Sequence, residues 1–225
     1  LYVANSGGYS AMQGGGYDRR VSVVNLRTFS VERTIDVAPN LFRIRRDRYG
    51  SLWVSSRGDY GGLPSRIYEL YDGSVADSLD VAATDMAFRG DSLLFLHAGG
   101  CGLYDLRHRR LVTQQMLRLP AGDRIETPYG LLVDDSDGRI YVMDATNYVS
   151  SGKLFCFDAQ GNWLWTRLAG DIPAHACLVK AGPVATEDQP SQGERSAYIQ
   201  AVDEYVPAPG QFVNILPKAD VGDDA

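Results

Sequence analysis

Four stretches of this chain lie over one another without a gap. The first is Leu1-Tyr2-Val3-Ala4-Asn5-Ser6-Gly7-Gly8-Tyr9 and the second Leu52-Trp53-Val54-Ser55-Ser56-Arg57-Gly58-Asp59-Tyr60. The third is Leu93-Leu94-Phe95-Leu96-His97-Ala98-Gly99-Gly100-Cys101 and the fourth Ile140-Tyr141-Val142-Met143-Asp144-Ala145-Thr146-Asn147-Tyr148. Their starts lie 51, 41 and 47 positions apart. A recurring unit of that length is one supersecondary structure that cannot bury its apolar face alone and must stack on its neighbours.

Each repeat begins with an apolar run too short for a helix, and no segment carries a convincing helical period. A strand precedes the repeat across a tight Gly- or Asp-bearing turn, as Phe42 to Arg46 does before Asp47-Arg48-Tyr49-Gly50. The same turn chemistry recurs at Arg89-Gly90-Asp91 and at Asp134-Asp135-Ser136-Asp137-Gly138, as hairpins require. A third strand follows at Val21, Arg66, Gly102 and Lys153, and a fourth at Val31, Val75, Leu111 and Trp163. Four antiparallel strands in a forty-residue period make one blade of a β-propeller. With strands A to D running outward from the axis, the chain reads as B-C-D, three complete blades, and a last A strand at residues 174–179. Such half-blades close a ring by pairing with each other. Because Leu1 already falls inside a strand, we expect a larger ring whose first blades are not in this sequence, rather than a closed ring of four. The edges left open would then pair with another chain.

The composition agrees. There are 24 glycines and 13 tyrosines in 225 residues, suiting short turns and half-buried strands. Residues 1–179 are expected to form the propeller. Residues 180–196, rich in Gly, Pro, Ser, Gln and acids, read as a linker, and residues 197–225 as the truncated start of a second domain. The stretch after 179 holds three basic against eight acidic side chains, and so most of the net charge of −6. No basic stripe suggests a nucleic acid partner. Cys101, Cys156 and Cys177 lack metal or redox spacing and read as buried free thiols.

Function is expected on one face. In a propeller the B–C and D–A loops share a face, and here the B–C loops at residues 5–20, 57–65 and 144–152 are the long ones. Long loops on a rigid scaffold are where binding sits. Three of them carry Tyr at one offset (Tyr9, Tyr60 and Tyr148), and Tyr17 adds a fourth in the longest. Asn5, Arg57, Asp59 and Asn147 flank them, and Asn40, Arg43, Thr127, Tyr129 and His175 reach the same face from the D–A side. Tyrosine offers broad contact area at low entropic cost plus a polar tip, which suits a large, partly polar ligand.

Other motifs point to turns rather than chemistry. Gly14-Gly15-Gly16 lacks the strand–loop–helix setting of a phosphate cradle. Asp134-Asp135-Ser136-Asp137-Gly138 lacks the later glutamate of a calcium loop and reads as a hairpin turn. Neither the three histidines nor the scattered carboxylates suggest a metal site, a catalytic triad or an acid–base pair, so no catalytic residue, metal ligand or cofactor is nominated.

The first two repeats, with Tyr17-Asp18-Arg19-Arg20-Val21-Ser22-Val23-Val24-Asn25-Leu26, resemble YncE-like propellers of gut Bacteroidetes, and within them the BtuG-type surface lipoproteins. Gly130 to Val133, Tyr141 to Ala145 and Gly170-Asp171-Ile172-Pro173 resemble the last blade of such proteins. The resemblance covers residues 1–179. It implies a seven-bladed ring, anchored by lipid to the outer membrane and exposed at the cell surface. It also implies capture of cobalamin or a related corrinoid and transfer to a TonB-dependent transporter. Pro207-Ala208-Pro209-Gly210-Gln211-Phe212-Val213-Asn214 is similar to a segment of modular surface proteins in the same bacteria. The alternatives are a glycan- or protein-interaction propeller and a propeller enzyme of the lyase or lactonase type.

Overall fold

The computed structural model describes residues 1–178, so the expected linker and second domain lie outside the described residues. It contains four antiparallel sheets, each a meander of consecutive strands. Blade 1 has three strands, β1 (Tyr2–Ala4), β2 (Arg20–Asn25) and β3 (Ser30–Asp36). Blade 2 comprises β4 (Leu41–Arg46), β5 (Leu52–Ser56), β6 (Arg66–Tyr71) and β7 (Ser74–Leu79). Blade 3 comprises β8 (Asp85–Arg89), β9 (Ser92–His97), β10 (Gly100–Asp105) and β11 (Arg110–Thr113). Blade 4 comprises β12 (Pro128–Val133), β13 (Ile140–Asp144), β14 (Ser151–Phe157) and β15 (Trp163–Asp171). These are the blades of a β-propeller.

The burial pattern explains why the second strands read as unbroken apolar runs. Leu93 to Leu96 of β9 are buried because a sheet stacks on each face, and every residue of β13 is buried between blade 3 and the chain segment that carries Ala176 and Leu178. A strand covered on both sides has no solvent face to alternate with. The outer strands show the opposite, with β3 exposed except at Ile35. Three apolar clusters fill the spaces between successive blades. Val54, Leu70 and Leu41 join Val21 and Ile35 between blades 1 and 2. Trp53 and Ile67 meet Leu93, Phe95 and Tyr104 between blades 2 and 3. Leu94, Leu96 and Cys101 meet Leu131, Val142 and Phe155 between blades 3 and 4.

The innermost strands β4, β8 and β12 pack on one another and so define the axis. Their contact is polar. Asp85, fully buried, takes the Leu131 amide at 3.0 Å and its neighbour Met86 at 2.9 Å. The guanidiniums of Arg43 and Arg45 lie 3.3 and 3.5 Å from the same carboxylate. One side chain thereby ties three blades. Further out, Arg109 of blade 3 binds Glu69 and Asp77 of blade 2, and Arg89 donates to the carbonyls of Gly138 and Ala159 in blade 4. Below blade 2, the Trp53 indole donates to buried Asp47 at 2.9 Å, and Ser51 links to Glu69 at 2.8 Å. Extensive contacts run from each blade to the next, and among the described residues none of them returns from blade 4 to blade 1. The sheets form an arc, not a closed ring of four.

Three expectations are corrected. The last A strand is not formed in its described part: residues 174–178 are irregular. Instead Pro173 and Ala174 press onto blade 4. A Cβ on Gly130 would sit 2.1 Å from the Ala174 carbonyl oxygen, and one on Gly152 would sit 2.2 Å from Pro173, so both glycines are needed for that approach. Ala176 and Leu178 then cover the outer flank of blade 4 beside Tyr141, Met143 and Cys156. Secondly, the first long loop contains a helical turn, α1 (Gly8–Met12), too short to show a period. Thirdly, Cys177 is exposed, whereas Cys101 and Cys156 are buried as expected.

Two outcomes follow. Asp85→Ala removes the carboxylate shared by Arg43, Arg45 and the Leu131 amide, and should cost about 3 kcal/mol or more in urea unfolding; an unchanged midpoint would show that the blades do not depend on it. Burial pushes the Cys101 thiol up to about 12 and Cys156 to about 11. In native protein at pH 8 a disulfide reagent should therefore label Cys177 alone, and the other two thiols only after denaturation.

Candidate functional site

The loops after β1, β5 and β13 are long, at residues 5–19, 57–65 and 145–150, whereas the corresponding loop after β9 is only Ala98 and Gly99. The three long loops agree closely with the sequence reading. They carry the exposed apolar side chains of this face: Tyr9 (78%), Met12 (88%), Tyr60 (72%) and Val149 (81%).

Blades 1 and 2 meet here through an edge-to-face pair, Tyr17 on Tyr60, with centroids 6.0 Å apart. The Tyr17 loop is locked by Asp18. Its carboxylate takes the amides of Arg19 (2.6 Å) and Arg20 (2.9 Å) and both sides of the Arg20 fork (3.0 and 2.6 Å). The Arg20 guanidinium and these amides hold the Asp18 carboxyl at about 2, below its ordinary 3.8. The Asp18 carbonyl accepts the Asn40 amide, and the Asn40 carbonyl accepts that of Arg57. This backbone relay fixes Arg57, whose guanidinium lies 3.5 Å from the Phe42 ring centre, with Arg43 4.3 Å away.

Two irregular pairings aim the aromatics. Between Leu41 and Ile44, β4 carries one residue more than β5 opposite, and the displaced Arg43 amide is satisfied by the Ser55 hydroxyl at 3.0 Å. Between Pro128 and Gly130, β12 carries an extra residue, Tyr129. Bulges bend a strand and redirect its side chains. Tyr129 thus meets Tyr148 edge-on at 5.6 Å. The loop beneath is anchored by buried Asp144, which accepts the amides of Glu126, Thr127 and Thr146, and by the Thr127 hydroxyl on the Thr146 carbonyl. Tyr60 and Tyr148 both hold left-handed backbone, φ 56° and 61°.

The residues singled out from sequence divide into three groups. Tyr17, Tyr60, Tyr129, Tyr148 and Arg57 enter aromatic contacts on the loop face. The polar atoms of Asn5, Asp59 and Asn147 are spent within their own surroundings. Asn5 donates to the Arg20 carbonyl and Ser22, Asp59 accepts Gly61 and Leu63, and Asn147 accepts Val149 and Ser150. Tyr9 projects from α1 into solvent, and His175 lies in a cavity among the innermost strands. Sequence reasoning passed over Phe42, Asp18 and Asp85. Phe42 and Asp85 stand at the head of innermost strands, and Asp18 shows only as an acid two residues before an arginine. Asp134 to Gly138 form the expected hairpin turn, closed by Gly138 on the Asp134 carbonyl at 2.7 Å. Among the described residues no three His, Cys, Asp or Glu side chains gather as metal ligands.

No family model matches the sequence, and no curated protein does. Among solved structures, hydrazine synthase of Kuenenia stuttgartiensis aligns with a TM-score of 0.56 at 13% identity, over 73% of this chain and 46% of that one. A protein of unknown function from Bacteroides caccae aligns at 0.46 and 19% identity, over 68% and 59% of the two chains. A quinoprotein alcohol dehydrogenase-like protein from Bacteroides thetaiotaomicron aligns at 0.43 and 14%, over 69% and 38%. The chain thus spans less than two thirds of each. At such identity the first likeness is one of fold, and with the four sheets it makes this an all-β chain of the β-propeller class.

Asp18 gives a test of the loop lock. Its lowered pKa means that it stabilises the fold fully above about pH 4, and that this contribution is lost as pH falls towards about 2. A carbon-detected NMR titration should place its midpoint near 2. Asp18→Asn should remove the acid-induced loosening of the Tyr17 loop. A midpoint near 4 would mean that the Arg20 fork is not closed in solution.

Proposed function

We propose that this chain is a ligand-binding propeller whose loop face receives a large, partly polar molecule, and that the molecule is a corrinoid. In this reading the protein binds rather than catalyses. It works at the outer-membrane surface as a capture protein that passes its cargo to a TonB-dependent transporter. One observation carries the binding face: two edge-to-face tyrosine pairs in which Tyr60 and Tyr148 are both held at positive φ. Left-handed backbone costs a non-glycine residue about 1–2 kcal/mol, and such strain gathers where function needs a side chain in one place. These tyrosines sit on exposed loop tips, where core packing does not explain the cost. A corrinoid supports the finer reading because its flat macrocycle suits tyrosine rings and its amide fringe suits hydroxyls and the Arg57 guanidinium. The family resemblance supports the same ligand and the surface location.

A second reading, recognition of a protein partner, is favoured by Met12 and Val149, long apolar side chains exposed beside the tyrosines. Calorimetry separates the two. Titration of cobalamin and of cobinamide into the protein should give saturable heat, and Tyr60→Ala or Tyr148→Ala should each weaken binding by about tenfold, the size of one lost aromatic contact. Silence with both corrinoids would end the corrinoid reading and move attention to protein ligands on the same loops.

A further inference from the structure

A cavity of about 510 Å³ opens between blades 2 and 3, away from the tyrosine loops. Strand β5 begins beside this cavity and ends at the 57–65 loop, so the two lie at opposite ends of the blade. Contacts between the blades frame it on two sides. On one, Tyr49 in the turn after β4 donates its hydroxyl to Asp91 of blade 3 at 2.7 Å. On the other, Arg109 in the turn after β10 reaches back to Glu69 of blade 2 at 2.8 Å. Arg107 of the same turn stands on the wall between them.

The cavity has acceptors at its base. Asp47 and Glu69 line it although they are only 8% and 7% exposed. A carboxylate has about four lone-pair positions. Asp47 uses three, taking the amides of Tyr49 and Ser51 and the Trp53 indole, each at 2.9 Å. Glu69 uses two, taking the Ser51 hydroxyl and Arg109, each at 2.8 Å. Both keep a position for a further donor. The wall also keeps donors, because Arg107 makes no hydrogen bond or ion pair among the described residues. The Tyr49 ring is 55% exposed yet fixed at both ends, its amide on Asp47 and its hydroxyl on Asp91. It offers a rigid apolar face. Two carboxylates stand against two guanidiniums on this wall, so neither an anion nor a cation is drawn in by net charge.

We propose that this cavity binds a neutral sugar ring, its hydroxyls donating to Asp47 and Glu69 and accepting from Arg107, and its C–H face lying on Tyr49. A hydroxyl both donates and accepts, so a polyol satisfies a wall that mixes the two roles without adding charge. Hydrogen bonds to ionised partners are stronger than those between neutral groups. The volume falls within the span of small-molecule pockets, about 300–1,000 Å³. The site is independent of the corrinoid reading, since none of these residues belongs to the loop face.

The probes are the methyl glycosides of glucose, galactose and mannose, with benzylamine and benzoate as charged ring compounds. Amide NMR of the full chain should show saturable shifts at Tyr49, Ser51 and Arg107 with at least one glycoside at millimolar concentration, and none there with either charged probe. Arg107→Gln breaks no internal pair; it should keep the wild-type melting temperature and weaken the glycoside by about tenfold. Tyr49→Ala removes the apolar face and should weaken it by about as much. Three results would overturn the proposal: no saturable shift with any of the three glycosides, binding of benzylamine or benzoate as tight as that of the best glycoside, or full affinity in either variant.

Discussion

A single buried carboxylate sits where three sheets meet. Asp85 accepts from blade 4 through the Leu131 amide, is ion-paired with Arg43 and Arg45 of blade 2, and belongs to blade 3 itself. Apolar clusters join the blades in pairs and are tolerant of small shifts, because such contact has no direction. A charge taken out of water tolerates much less, since every acceptor position must be met. The innermost strands are therefore held in one mutual register, and the loop-face geometry is inherited from it. Phe42 and Tyr129 emerge from bulges in two strands that this hub touches.

On the loop face, polar side chains and aromatic ones have separate duties. Asp18, Asp59, Asp144 and Asn147 point back into backbone amides and fix each loop from within. That leaves the tyrosine tips as the parts presented outward. A loop of this kind behaves less like a flexible arm than like a bracket. The ring is oriented before any ligand arrives, so little conformational freedom remains to be lost on binding.

Much of the architecture could be read from the chain. Period, turn chemistry and continuous apolar runs located the strands of every blade, because those features follow from local geometry and two-sided burial. What escaped has a common cause. The helical turn at Gly8 to Met12 is too short for a period. Asp85 reads as an ordinary acid at a strand head, since its three partners in other blades lie 40 or more positions away and one of them, Leu131, contributes only a backbone amide. The strand expected at residues 174–179 had the right apolar pattern, but in its described part the chain is drawn onto blade 4, where Pro173 and Ala174 meet Gly152 and Gly130. The loop tyrosines were legible as exposed aromatics; which of them would pair was not, because pairing depends on two bulges that no residue pattern announces. Asn5, Asp59 and Asn147 shared the loops' position without sharing their outward face.

The meander topology carries a consequence for biogenesis. Within a blade each strand pairs with its immediate predecessor, and each blade leans mainly on the one made just before it. Contacts are short in sequence, so a blade can close its hairpins without waiting for the distant end of the chain. Assembly can thus keep pace with synthesis, every finished sheet serving as the template surface for the next. Blade 3 also reaches forward: Asp85 takes the Leu131 amide 46 residues further on, and Arg89 donates to carbonyls 49 and 70 residues on. Until Leu131 has emerged, that carboxylate lacks one of its partners, and the growing stack has a built-in checkpoint between its third and fourth sheets.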